Sequence, residues 1–416
     1  MQVEEHLFRQ HSGRIVTALS RIFGLENIAL AEDVTQDVFC RALEVWKLRG
    51  VPENPSAWLM KAAKNRAIDL LRRERVGRRL EPELGRLLES EWTLVPTINE
   101  FFSAESIKDD ELRMIFSCCD PELSETTQVA LTLHLACGFT MAEIASAFLR
   151  KRSAMEKRIE RGKKVLANSK HLFDLSDGEL KTRLSAVHRA LYLLFNEGYH
   201  GASAVRTELC REAMRLGALL IENPLVASPV TYALCALMSL HAARLPARLD
   251  PDGDLIDLAH QDRSRWEVEL IGKGNELLDR SAFGTELSAY HVEAAIAAVH
   301  SNALHAEDTD WGRLIWLYDM LMTIRPSPVV ALNRAIALAQ QNGPERGIEE
   351  LRTIEHGELL ASYPFYAAAL GELEFRAGDN GNARKHFEEA LGLARNRVER
   401  RFLERRLDAV RDAALR

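Results

Sequence analysis

The chain has 416 residues, 47% hydrophobic content, a net charge of −7, and only 13 Pro and 23 Gly. That length calls for two to four domains, and the composition suits long helices with few interruptions. A net negative chain excludes nucleic-acid binding through its overall field, so any such binding must come from local basic patches. No apolar run approaches the ~20 residues of a membrane span, the N-terminus lacks the apolar core of a signal peptide, and no membrane partner is expected. Six scattered Cys without a framework spacing suit a reducing cytoplasm.

The first 80 residues read as a compact helical domain. Ala31 to Trp46 is amphipathic, with Phe39, Ala42, Leu43 and Trp46 predicted as its buried stripe. Asp33, Gln36, Asp37, Cys40 and Glu44 form a second, largely acidic and polar face. Lys47 to Pro55 reads as a Gly/Pro/Asn loop. Asn54 as N-cap and Pro55 at the first helical position then start a new helix, which buries Leu59, Ala63, Ala67 and Leu70. From Lys61 to Arg79 that stretch holds eight Lys/Arg and two acids. Lys61, Lys64, Arg66, Arg72 and Arg73 are candidate phosphate contacts, and Asn65 a candidate reader of a base edge.

The sign then reverses. Glu81 to Glu111 holds nine acids and two basic residues, with Pro82 and Pro96, and residues 81–108 read as a partly helical acidic linker. A second domain over 109–172 opens with an apolar helix, Thr127 to Ala136. Next come two capping-box patterns thirteen residues apart, Thr140 with Glu143 and Ser153 with Glu156. Met155, Ile159, Gly162 and Leu166 form a narrow inward stripe on the second of the two helices. Arg150 to Lys170 carries nine Lys/Arg against two Glu. Two short capped helices with a basic second member read as a helix-turn-helix, the second helix being suited to the major groove.

Together these segments resemble the extracytoplasmic-function sigma factors. The resemblance rests on D-x-x-Q-D-x-F (Asp33, Gln36, Asp37, Phe39), A-W-L…N-R-A-I-D-x-L-R-R (Ala57 to Arg73) and the helix-turn-helix, in that order. It implies that Asp33, Gln36, Asp37 and Arg41 dock on the β′ clamp helices of core RNA polymerase. It implies that the Lys47 to Asn54 loop pockets a flipped base, and that Lys61, Lys64, Asn65, Arg66, Arg72 and Arg73 engage the −10 element. Arg152, Ser153, Glu156, Lys157, Arg158, Arg161 and Lys164 then serve the −35 element, while the second domain binds the β flap. The basic stretch LRKRSAMEK departs from the neutral residues more usual in that family.

Residues 173–416 exceed a minimal two-domain sigma factor and read as further helices. Val329 to Ile354 and Phe365 to Ala390 align at a 36-residue offset. Leu370, Gly371, Ala383, Phe387 and Ala390 fall on tetratricopeptide-type positions, with repeats near 328–395. LYLLFNEGY (191–199), QDRSRW (261–266), TDW (309–311), LNRA (332–335) and ERRFL (399–403) resemble signature segments of the sigma-factor subgroup with a long tetratricopeptide-like extension. This implies regulation by the extension, in place of the usual membrane anti-sigma partner, with a regulatory protein as its candidate partner.

The expected architecture is all-α, and no catalytic site, metal or cofactor is expected. Cys118, Cys119, His134 and Cys137 lack zinc-site spacing. Asp250, Asp252 and Asp254 read as a capped turn, because Gly253 stands at the fourth position of a would-be calcium loop. The rival function is a helix-turn-helix activator with a tetratricopeptide-like sensor, dependent on another sigma factor. That reading leaves the first domain's motifs idle. A ligand pocket in the extension has only scattered Trp, Tyr and His to support it.

Overall fold

The computed structural model describes residues 2–73, 91–148, 150–168, 175–199, 206–355, 357–394 and 397–414. All regular structure among them is helical apart from one isolated bridge, Leu249 to Leu255. The chain divides into two compact units: residues 1–194 with 222–226, and residues 195–221 with 227–416.

In the first unit, α1 (Gln2–Phe23), α2 (Ile28–Arg49) and α3 (Pro55–Arg73) enclose one core. α2 buries Ala31, Val34, Val38, Ala42 and Trp46, and Trp46 meets Trp58 edge-on at 5.6 Å. This corrects the predicted phase: Phe39 is only partly buried, stacked on Phe8 at 4.7 Å, and Leu43 is 45% exposed. The β-branched Val34 and Val38 take the inward positions instead. On α3 the expected stripe forms, with Leu59, Ala63 and Ala67 fully buried and Leu70 packed at the edge. The stretch predicted as linker is more integrated than expected. Its described part forms α4 (Glu91–Phe101) and the start of α5 (Ala104–Cys118), and Leu94 and Ile98 of α4 complete the same core.

α6 (Glu125–Leu131) runs into one wider π-turn, Thr132–Ala136, ahead of α7 (Met141–Ala147) and α8 (Arg152–Asn168). The π-turn meets α1 backbone to side: a Cβ on Gly13 would stand 2.0 Å from the Ala136 carbonyl oxygen, so only glycine fits there. Arg21 pairs with the fully buried Asp110 of α5, and Arg14 Nε lies 3.5 Å from Glu111. α9 (Asp177–Tyr199) also joins this unit through most of its length. Arg183 reaches Asp120 at 3.0 Å, Arg113 donates to the Leu175 carbonyl, and Arg189 pairs with Glu125. The first compact unit therefore extends to Leu194.

The second unit stacks antiparallel helices: α10 (Thr207–Glu222), α11 (Pro229–Ala242), α12 (Val268–Ser281), α13 (Ala289–Asn302), α14 (Trp311–Ile324), α15 (Pro328–Asn342), α16 (Pro344–Arg352), α17 (Pro364–Arg376), α18 (Asn380–Leu393) and α19 (Arg397–Ala414). α10 ends where the chain re-enters the first unit, so its final residue belongs there. The 36-residue repeat is real in register: Pro328 and Pro364 each open the first helix of a pair, and the second helices begin at 344 and 380. Proline suits that first position because its missing N–H has no intrahelical role there. All five residues assigned to tetratricopeptide-type positions, Leu370, Gly371, Ala383, Phe387 and Ala390, are buried. A Cβ on Gly347 would stand 2.4 Å from Ala339 Cβ, so the paired helices touch there without an intervening side chain. In the DPDGD turn Asp250 Oδ1 accepts from Asp252 N and Asp254 N, and Arg401 and Arg405 of α19 hold Asp254 and Asp250 at 2.9 Å.

Candidate nucleic-acid interface

Each predicted site residue sits on one of three helices of the first unit. On α2, the face opposite the core leaves Asp33, Gln36, Asp37, Cys40 and Arg41 exposed, joined by Leu43 and by Leu48 at 85% exposure. This face is therefore acidic and polar with apolar points. α2 runs through Arg49, two residues past the predicted loop start. Gly50 then reverses the chain at φ 80°, its N–H bonded to the Trp46 carbonyl at 2.9 Å, so the loop is the shorter 50–54. A left-handed φ is open to glycine at little cost. Val51 is 56% exposed at the tip. Asn54 Oδ1 caps α3 by accepting from Ala57 N at 2.9 Å, as expected.

On α3, Lys61, Asn65 and Arg72 are exposed and Lys64 and Arg66 half-buried, with Arg66 flanking the core stripe at i+3 from Ala63. The Arg73 side chain lies outside the described residues. Arg66 Nη2 donates to Asp37 Oδ2 at 3.1 Å, which links the candidate polymerase face to the candidate −10 face. The separate sequence readings of those two helices gave no sign of this pair.

The helix-turn-helix is built as the sequence suggests, with one exception. Thr140 N–H donates to Glu143 Oε2 at 2.8 Å and Glu143 N–H returns to Thr140 Oγ1 at 3.3 Å, a reciprocal capping box. The second predicted box does not form. α8 begins at Arg152, the Lys151 carbonyl accepts from Ala154 N and Met155 N, and Ser153 lies inside the first turn. The Glu156 carboxylate accepts from Arg152 Nε at 2.7 Å instead. Met155, Ile159, Gly162 and Leu166 are buried as predicted. A Cβ on Gly162 would stand 2.7 Å from Leu131 Cδ1, so α8 lies tight on α6.

The opposite side of α8 exposes Arg152, Ser153, Lys157, Arg161 and Lys164, with Glu156 and Arg158 half-buried beside them. Not every cation on this helix faces outward. Lys163 is 12% exposed and donates to Glu32 of α2 at 2.8 Å, and Glu32 also lies 2.8 Å from His134 Nε2. Those contacts hold the Glu32 carboxyl below its ordinary range in spite of burial, which acts against them. His134 Nδ1 meets the Phe139 carbonyl at 3.0 Å. Counting basic residues along α8 could not separate Lys163 from its neighbours, because its partner lies 131 residues away. Cys118, Cys119 and Cys137 are buried; burial pushes the Cys119 thiol up to about 12, and the described residues hold no group of three metal-binding side chains. No described helix is long and apolar enough to cross a membrane.

Comparison with known proteins matches these elements. Residues 7–76 match sigma-70 region 2 and residues 113–166 match sigma-70 region 4, which defines a transcription initiation factor that works with core RNA polymerase on promoter DNA. Residues 183–282 match a family of unknown function, DUF6596. The chain is 36% identical over 397 residues to the uncharacterized protein R00370 of Rhizobium meliloti (strain 1021), covering 94% of this chain and 92% of that protein. It is 26% identical over 158 residues to the ECF RNA polymerase sigma factor SigK of Mycobacterium ulcerans (strain Agy99), covering 36% of this chain and 79% of that protein. The SigK of Mycolicibacterium vanbaalenii is 24% identical over 164 residues, covering 38% of this chain and 77% of that protein. No solved structure matches. The chain thus carries the two sigma-70 domains of an extracytoplasmic-function-type sigma factor, followed by a long helical C-terminal region.

Proposed function

We propose that Asp33, Gln36, Asp37 and Arg41 dock on the β′ clamp helices, while the second sigma domain meets the β flap. In this reading Lys61, Lys64, Asn65, Arg66, Arg72 and Arg73 serve the −10 element, and the 50–54 loop receives its extruded base. Arg152, Ser153, Glu156, Lys157, Arg158, Arg161 and Lys164 serve the −35 element. Extrusion costs a few kcal/mol of unstacking, which nearby cations help to offset. The observation that carries the reading is the pair of outward basic faces, one on α3 and one on α8. Each belongs to a helix whose opposite face is fully accounted for by burial.

We further propose that the C-terminal helical region regulates initiation in the cytoplasm, in place of a membrane-bound inhibitor. Its helix-pair repeats support this, since stacked pairs of this kind present extended binding surfaces.

Run-off transcription with core polymerase, the full-length protein and no other sigma factor tests the first proposal. Specific transcripts are the expected result. Silence with core alone, but stimulation beside a housekeeping sigma factor, would instead establish the activator reading. Deleting the C-terminal region tests the second proposal. The cut belongs after Tyr199, because α9 is bonded to α5 through Arg183, and an earlier cut would strip a core helix from the first unit. Unchanged promoter output and regulation after that deletion would end the regulatory reading.

A further inference from the structure

One arginine of α9 belongs to neither promoter-facing helix and yet reaches into the second sigma domain. Arg183 lies beyond the segment that matches sigma-70 region 4. Its Nη1 donates to the Phe116 carbonyl at 3.3 Å, and its Nη2 lies 3.0 Å from Asp120 Oδ2. The two side chains are 13% and 11% exposed, so theirs is not a solvated surface pair.

Helix capping explains the first bond. Phe116 lies in the last turn of α5, where carbonyls have no partner within the helix and a cation complements the dipole. Capping does not explain the second. Asp120 stands in the loop between α5 and α6, and all three of its oxygens are engaged. Beside the Arg183 contact, Oδ1 accepts from Glu122 N at 2.9 Å. The Asp120 carbonyl accepts from Leu123 N at 3.0 Å and from Nε2 of buried Gln128 at 2.9 Å. Gln128 is part of α6 and also donates to the Leu123 carbonyl at 3.2 Å. Asp120 therefore ties α9, the loop and α6 together at one residue.

The contacts continue to the helix assigned to the −35 element. A Cβ on Gly162 of α8 would stand 2.7 Å from Leu131 Cδ1 and 3.0 Å from Thr127 Cγ2, and both partners flank Gln128 on α6. A contact packed that closely passes a displacement of α6 on to α8. A second pair from α9, Arg189 with Glu125 at the start of α6, is half-exposed on both sides. Exposed pairs of that kind contribute little, so it serves as an internal control.

We propose that Arg183 is a positioning residue for −35 recognition: by fixing Asp120 it sets the stance of α6 and, through α6, that of α8. This role rests on the −35 reading of α8 above. It places a helix of the extension inside the DNA-reading domain.

Hydrogen exchange of the full-length protein, followed by mass spectrometry, tests the positioning without any promoter. In Arg183→Gln the amides of α6 and α8 should exchange about tenfold faster, as expected for loss of a charged hydrogen bond, while those of α3 keep their rate. Arg183→Lys keeps a charge beside Asp120 without the planar fork, so the rise should be smaller. If Arg183→Gln does not fold, the lysine variant decides. Arg189→Gln should leave all three helices unchanged. An unaltered α8 in the Arg183 variants, or an equal rise in α3 and α8, overturns the proposal.

Promoter binding supplies the second readout. With core polymerase, on a promoter recovered by run-off transcription, Arg183→Lys should lose about threefold in affinity when the −35 element is intact and nothing when it is scrambled. An equal loss on both templates would reduce Arg183 to a structural role and overturn the assignment. Failure of the −35 reading itself looks different, because scrambling the element would then leave wild-type affinity unchanged.

Discussion

The outward faces of α3 and α8 in the first unit and the stacked pairs of the second treat their cations in opposite ways. In the first, α3 and α8 hold Lys61, Arg72, Lys157, Arg161 and Lys164 out to solvent. In the second, arginines of the stacked pairs lie against carboxylates: Arg334 reaches Asp319 at 2.5 Å and Glu350 at 3.1 Å, and Arg352 reaches Glu374 at 3.1 Å. A cation already paired within its own fold offers little to phosphate, whereas one held in water releases counterions when it meets DNA. Charge placement, and not charge number, therefore separates the outward faces of α3 and α8 from the stacked pairs.

The comparison is most easily broken in the second unit, whose order depends on packing. Phe387 is fully buried against Gly371 and Ala383, so Phe387→Ala should cost about 3–5 kcal/mol in urea unfolding. A loss below about 1 kcal/mol would show that the repeat does not rest on this contact.

The first unit should respond to pH through α1 and α5. Burial pushes the Asp110 carboxyl up to about 6, against the pull of Arg21. A raised carboxyl favours the folded state when protonated, so its contribution is lost as pH rises from about 4 to 6. Burial, with Arg14 beside it, pushes His11 down to about 4, and burial does the same to His188. A depressed histidine acts in the opposite sense, its contribution growing as pH rises through that same window. Asp110→Asn should remove the opposing slope and steepen the acid destabilisation between pH 6.5 and 4 by on the order of 3 kcal/mol. His11→Gln should flatten it. Identical pH profiles for wild type and both variants would contradict this account.

Smaller effects sharpen the contrast at α8. Gly162→Val should cost about 1–3 kcal/mol, because its branches meet Leu131 and Thr127, and should weaken promoter binding by displacing the helix. Wild-type stability in that variant would mean α8 lies farther from α6. Lys157→Ala and Arg161→Ala should leave stability within about 0.5 kcal/mol of wild type. If they contact phosphate, each should lower the salt slope of promoter binding by about one. An unchanged slope and affinity would remove them from the interface.

Much of this was legible in the residues. The α8 stripe, the Thr140 box and the 36-residue period are local patterns, and local patterns survive folding when burial agrees with them. The α2 stripe was misread because Phe39 and Leu43 outweigh Val34 and Val38 in bulk, although the geometry of α2 points the valines inward. The second capping box failed for a similar reason. Arg152 offered Glu156 a charged partner, and the helix started two residues earlier. The Asp37–Arg66 pair and the Glu32–Lys163 pair were invisible because each joins residues far apart in the chain, with no periodicity to announce them.

The matched openings at Pro328 and Pro364 bear on how the protein can change in length. A segment that begins and ends at equivalent points of a stack is a module. Duplicating residues 328–363 in tandem would add one helix pair, with Gly347 at the same close contact, and leave every later residue in phase. A homologue longer by one such unit should keep its fold, whereas an insertion of half a unit must be extruded as a loop.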